Sequence, residues 1–271
     1  MSGSSSLLKY ETKDTVKLCC KIDLDMLLPT ESECRNFDDK WASFLSSDKT
    51  NKNIFKLRKH VLEYESEQLI PIKRDKRPPL LLILGNPASH SVKEGMFFSF
   101  EGNKKEHRFW TRILKPAGVL NLSYDSNLPV KKLNEQRKKQ LLALDYESPF
   151  RIGLCVFITI PSAPGGKWGG VAGVQKLIGI RALRLLEIGE TKRIQLCVKK
   201  FIGTNGKVVV FQKNAWNALR SSKDPEYKLA LAKDGKLKGR LKEMTKIPLL
   251  GVPPTRLAGP CSKILRQLVE E

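Results

Sequence analysis

The five apolar residues 80–84 (LLLIL) run without a break into Gly85, Asn86 and Pro87. So short a run with turn signals on both sides marks a strand buried on both faces, as in a parallel sheet. A half-solvated strand would alternate apolar with polar residues instead. Gly85 permits a tight turn or a positive φ, and Pro87 keeps Asn86 out of the helical region. A polar amide is thereby presented at the end of a strand, where open α/β sheets bind their ligands.

Three more apolar runs, at 151–160 (RIGLCVFITI), 207–211 (KVVVF) and 247–252 (IPLLGV), alternate with helical patterns. The helices are expected at 110–114, stopped by Pro116 and Gly118; at 131–145, with Arg137, Lys138 and Lys139 on a solvated basic face; at 174–201, broken at Gly189-Glu190; and at 262–269. Such alternation, with crossovers long enough for parallel pairing, predicts an α/β fold over residues 77–271. The expected form is a three-layer α/β/α sandwich around a central, mainly parallel four-stranded sheet. Residues 221–246, with 8 basic and 4 acidic side chains, read as a Lys-rich insertion or linker.

Residues 1–76 form an N-terminal extension of unknown role, separated by the basic, Pro-rich stretch 70–79. A strand or helix is expected near 16–28. Trp41, Phe44 and Leu45, then Ile54, Leu57, Val61 and Leu62, recur at three and four, which predicts two amphipathic helices and a mostly helical extension.

The formal net charge is +21, and it is unevenly placed. Residues 1–76 hold 14 basic and 13 acidic side chains (+1), whereas 77–271 hold 35 and 15 (+20). Such a charge attracts polyanions and suits a phosphate backbone, although a soluble basic surface has the same composition. No apolar run approaches the roughly 20 residues of a membrane span, and the first residues lack the apolar core of a secretory signal. The six cysteines show no C-x-x-C spacing, and with three histidines no paired ligand pattern for zinc or an iron–sulfur cluster emerges. An intracellular, reduced, metal-free protein without cofactor is expected, in cytoplasm or nucleoid, or in a nucleus.

Asn86-Pro87-Ala88, Gly95 followed at three by Phe98, and Arg108-Phe109-Trp110 with Ile113-Leu114 together resemble the uracil-DNA glycosylase superfamily. The likeness is greatest to its mismatch-specific uracil/thymine branch, whose motifs read Gly-Ile-Asn-Pro-Gly, a stacking Phe, and Asn-Arg-Phe-Trp. Gln212-Lys213-Asn214-Ala215 is similar to the branch's Gly-Lys-Gln-Ala, with Gln212 in place of the glycine. The resemblance spans about residues 77–271, is weakest at 221–246, and leaves 1–76 without a counterpart.

The resemblance implies a monofunctional DNA glycosylase of base excision repair that hydrolyses the N-glycosidic bond of a flipped-out base, with uracil the first expectation. Asn86 would orient the attacking water, since an amide is a poor base. Gly85, Pro87, Ala88, Ser89, His90 and Phe98 would form the base pocket. Phe98 would be the stacking ring, with Phe97 and Phe100 as competitors. His90 is either a donor to a base carbonyl or a plain surface histidine. Phe109 and Trp110 would lie in the core beneath the pocket, and the Gly/Pro-rich segment 161–166, followed by Trp168, would pass near it.

The second family motif begins with His or Asn before Pro-Ser, whereas this chain has Val252 before Pro253 and Pro254. Pro253, Pro254, Thr255, Arg256 and Leu257 would enter DNA as a wedge. A helix beginning at 260–262, with Ser262, would hold a phosphate. No lysine stands at the Asn position, so no covalent lyase step is expected. DNA is the expected partner of a monomer that binds no membrane. A hypoxanthine-type preference, a non-catalytic nucleic-acid-binding module and an unrelated α/β enzyme remain the alternatives.

Overall fold

The computed structural model of the chain describes residues 7–13, 16–102, 105–123, 128–203 and 205–270. In chain order the elements begin with β1 (Leu8–Thr12), β2 (Lys17–Asp23), α1 (Leu24–Leu27), α2 (Glu31–Ser46), α3 (Asn51–Ile54), β3 (Phe55–Arg58) and β4 (Val61–Leu69). Then come β5 (Pro79–Leu84), α4 (Ser89–Glu94), a π-helical turn (Phe109–Leu114), α5 (Val130–Ala143) and β6 (Arg151–Val156). After these follow α6 (Gly170–Ile178), α7 (Ile180–Phe201), β7 (Lys207–Val210), α8 (Lys213–Leu219), α9 (Leu229–Lys233), β8 (Lys238–Leu241), β9 (Met244–Gly251) and α10 (Ala258–Glu270). The protein is mixed α/β, and none of its described helices is long and apolar enough to cross a membrane.

Two compact units interleave along the sequence. The first holds residues 1–68, 86–97 and 156–194; the second holds 69–85, 98–155 and 195–271. The boundary expected near residue 76 falls inside the second unit's stretch 69–85.

In the first unit β2 pairs antiparallel with β1 and β4, and β3 also pairs with β4. Residues 1–76 are therefore not mostly helical. The first amphipathic helix is present as α2, opened by a capping box in which Thr30 and Glu33 bond reciprocally. The second, expected over Ile54, Leu57, Val61 and Leu62, is instead a hairpin of β3 and β4. Its turn contains Lys59 at φ 52°, and Leu62, Tyr64 and Ser66 alternate inward along β4, a period of two that the apolar positions alone concealed. The helix break expected at Gly189-Glu190 lies at Gly179, φ 86°, and α7 runs straight through Glu190.

In the second unit the strand order is β6-β5-β7-β9-β8. The four strands read from apolar runs are thus neighbours, but the described strands number nine rather than four. β5, β7 and β9 are parallel, in register from Leu80 opposite Lys207 and from Val208 opposite Leu249. β8 closes the edge antiparallel, so 221–246 is no linker but holds α9 and the β8–β9 hairpin. Every residue of β5 is buried, and burying each Leu or Ile side chain is worth about 1.5–3 kcal/mol. The chain leaves β5 for β6 on one side and returns to β7 on the other. The carboxyl ends of β5 and β7 therefore flank a topological switch point.

Candidate functional site

Gly85 ends β5, and Asn86 follows it directly, both half-buried. Within the first unit, residues 86–89 lie along 160–163 as a short parallel pairing. Ser162 donates its amide to Pro87 O at 3.1 Å, and Ser89 donates its own to Ser162 O at 2.9 Å. The Asn86 amide nitrogen donates to Ile160 O at 3.1 Å and to Ser162 Oγ at 2.9 Å. No described residue donates a hydrogen bond to its Oδ1.

The rest of the pocket loop divides by burial. Pro87 is buried and Ala88, half-buried, precedes α4. Ser89 has no exposed surface, and its hydroxyl donates to Asn51 Oδ1, whose own Nδ2 donates to Phe44 O at 2.9 Å. It therefore anchors the loop to the α2–α3 region and offers nothing to a base. His90 is half-buried on α4. Trp168, expected near the pocket, is 5% exposed, donates to Ser43 Oγ at 3.2 Å and meets Phe44 edge-on, so it is core.

In the second unit Phe98 is half-buried at φ 47°, a left-handed backbone unusual for an aromatic residue. Its carbonyl accepts the Trp110 indole N–H at 3.0 Å. Its ring stacks on Phe109 at 4.2 Å and 27°, with His107 4.6 Å away. Phe97, in the first unit, is buried, while Phe100 is half-buried. Phe109 and Trp110 are buried, and Phe109 also meets Phe211 edge-on at 6.0 Å, beyond the end of β7.

His107 Nδ1 accepts the Phe109 amide at 3.1 Å, which leaves its proton on Nε2, 3.8 Å from Glu101 Oε2. Burial raises the Glu101 carboxyl, but the Arg108 hydrogen bond at 2.7 Å outweighs it and holds the group below its ordinary value. Arg137, expected on a solvated face, is wholly buried: it pairs with Glu106, donates to Asn134 at 3.0 Å and lies over the Trp110 ring. Gln212 caps α8 by accepting the Ala215 amide at 2.9 Å.

After β9, Val252 is buried, and its carbonyl accepts Tyr227 OH at 3.3 Å. Pro253 is buried, with its carbonyl accepting the Cys261 thiol at 2.7 Å. Pro254, Thr255 and Leu257 are half-buried, and only Arg256 of this loop is fully exposed. The helix starts at Ala258 rather than at 260–262, because Leu257 closes a turn onto Pro254 O at 2.8 Å. Ser262 lies within it, 7% exposed, and so is not placed to hold a phosphate.

Among the described residues no three His, Cys, Asp or Glu side chains converge so as to hold a metal ion. A cavity of about 400 Å³ lies beside Lys207 at the start of β7, between the β8–β9 hairpin and α10, and not at the carboxyl ends of the strands. Sequence reasoning brought Ser162 near the pocket only as part of the segment 161–166, and missed Asn51 and Tyr227. Of these only Ser162 carries a signal, as a polar residue just past the run 151–160. No protein-family model matches this chain, and no curated protein matches it in sequence.

Proposed function

We propose that the protein is a monofunctional DNA glycosylase that hydrolyses the N-glycosidic bond of a deaminated or mismatched base, uracil first, on the three-layer scaffold of the uracil-DNA glycosylase type. The observation that carries this reading is Asn86. It follows β5 directly in the chain, with Nδ2 tied to protein acceptors and Oδ1 without a donor among the described residues.

Such an amide can accept a hydrogen bond from a water molecule and so turn the water's lone pair towards the sugar carbon. The base leaves with developing negative charge, which fixed donors stabilise more in the transition state than in the ground state. Phe98, half-buried on Phe109, supplies an aromatic surface of the kind a flipped base needs. Arg256 on the loop after β9 is suited to a phosphate or to the gap in the stack. DNA is the proposed partner of a monomer, and the net charge of +21 supports this.

Val252 supports a second reading. It is buried and apolar where a His or Asn would contact the base, which favours either another damaged base, such as hypoxanthine, or a non-catalytic nucleic-acid-binding module.

Single-turnover cleavage of oligonucleotides carrying uracil, hypoxanthine, xanthine or a G·T mismatch tests the proposal, with alkali revealing abasic sites. Product from one base, reduced at least about a hundredfold in Asn86→Ala as for the loss of a positioned catalytic group, is the expected result. Salt-sensitive binding with no product from any base overturns the enzyme and leaves the module.

A further inference from the structure

An amide side chain has two ends of equal size and opposite hydrogen-bonding character, and only Oδ1 can accept a hydrogen bond from water. An Asn at a strand end therefore orients water only if something else decides which end faces it. In the first unit Nδ2 of Asn86 is engaged twice, by Ile160 O and by Ser162 Oγ. Ile160 O can only accept. Ser162 Oγ could do either, but its proton is directed to Ala163 O at 3.3 Å, so towards Asn86 it presents a lone pair. A flipped amide would set its oxygen against the Ile160 carbonyl, and against Ser162 Oγ as well unless that hydroxyl gave up its bond to Ala163 O.

Both acceptors belong to the strap 156–162, and that strap is itself clamped. Arg193 of α7 donates to the carbonyls of Val156 and Phe157. Glu190, one turn earlier, accepts from Thr159 N at 2.6 Å and from Thr159 Oγ1 at 2.5 Å. Ser66 of β4 donates to Thr159 O at 2.6 Å, and Tyr64 OH lies 2.7 Å from Thr159 Oγ1. Arg193 and Glu190 join at 2.7 Å, 1% and 0% exposed. Such a buried pair is weak evidence for stability but a means of fixing one conformation. Here it fixes the segment on which Asn86 leans.

We infer that Ser162 is a positioning residue for Asn86: its hydroxyl, on a strap clamped by Glu190 and Arg193, selects the amide orientation that turns Oδ1 outward to the reacting water. The inference rests on the reading of Asn86 given above.

Two readouts test it on the full chain. The side-chain amide signal of Asn86 in ¹⁵N NMR is assigned by its loss in Asn86→Ala. Its proton exchange is expected to quicken about tenfold in Ser162→Ala and to return in Ser162→Thr, which keeps the acceptor. Single-turnover excision of uracil is expected to fall about tenfold in Ser162→Ala, as for one hydrogen bond, with unchanged affinity for the oligonucleotide and rescue by Ser162→Thr. Should the alanine variant fail to fold, Ser162→Cys, of similar size but a poor acceptor, takes its place in the comparison with Ser162→Thr.

Excision abolished in Asn86→Ala yet unchanged in Ser162→Ala, with amide exchange also unchanged, overturns the role of Ser162 and leaves the glycosylase standing. A wild-type protein that excises no base overturns the reading of Asn86, and this role with it.

Discussion

Phe98 is held at φ 47° without being a glycine, a conformation that costs about 1–3 kcal/mol and persists only where its surroundings impose it. Trp110 imposes it, by donating its indole N–H to the Phe98 carbonyl. Trp110→Phe would leave that carbonyl unpaired, and urea denaturation is expected to show a loss of about 1–3 kcal/mol.

Glu67 is the other residue out of place, with 2% exposure and no described partner for Oε1. Burial pushes its carboxyl well above the ordinary value, opposed only by the charge of Lys17. The folded chain thus keeps this proton to a higher pH than the unfolded chain. Stability from this group falls as pH rises from near 4.5 through the raised folded value, and is level beyond it. Thermal melts across that window should show the slope in the wild type and lose that part of it in Glu67→Gln.

The cysteines differ in the same way. Burial pushes the thiols of Cys20 and Cys261 up to about 12, whereas Cys19 and Cys34 are half-buried. Native-state labelling with a thiol reagent at pH 8 should modify Cys19 and Cys34 first, the thiolate being the reactive form. At this scale Asn86 was legible in the sequence because glycine and proline bracket it. Ser162 was not, because what it does depends on a partner 76 positions away in the chain.

Among elements, β5, β6, β7 and β9 announced themselves because a strand buried on both faces leaves a continuous apolar run. The β3–β4 hairpin did not, since Ile54, Leu57, Val61 and Leu62 satisfy a helical period by accident. Its turn, moreover, uses Lys59 at positive φ rather than a glycine. Helix α5 was placed correctly but its face was misjudged, because Arg137 looks solvated beside Lys138 and Lys139. In fact Arg137 joins Glu106, Asn134 and the Trp110 ring. Arg137→Met is expected to cost about 3–5 kcal/mol by removing the cation from this buried pair, and the double variant Arg137→Met/Glu106→Leu to recover much of it. Denaturant midpoints of the two single variants and the double variant form the cycle that measures this coupling.

For the molecule as a whole, the excess of 49 basic over 28 acidic residues has a measurable consequence if DNA is the partner. With about five phosphates contacted, log affinity should fall against log salt with a slope of about −4.5. A slope near zero would remove charge as the reason for binding.

The interleaving of the units also bears on how the protein is made. The chain crosses from one unit to the other after residues 68, 85, 97, 155 and 194, so neither unit corresponds to one uninterrupted length of sequence. On the ribosome β1, β2 and β4 emerge early, but the 156–162 strap and the Glu190–Arg193 clamp that complete their unit follow only after β5, α5 and β6 of the other. For that interval Tyr64 and Ser66 of β4 lack Thr159, the strap residue they meet in the finished unit, and an incomplete unit is what chaperones or other nascent chains catch.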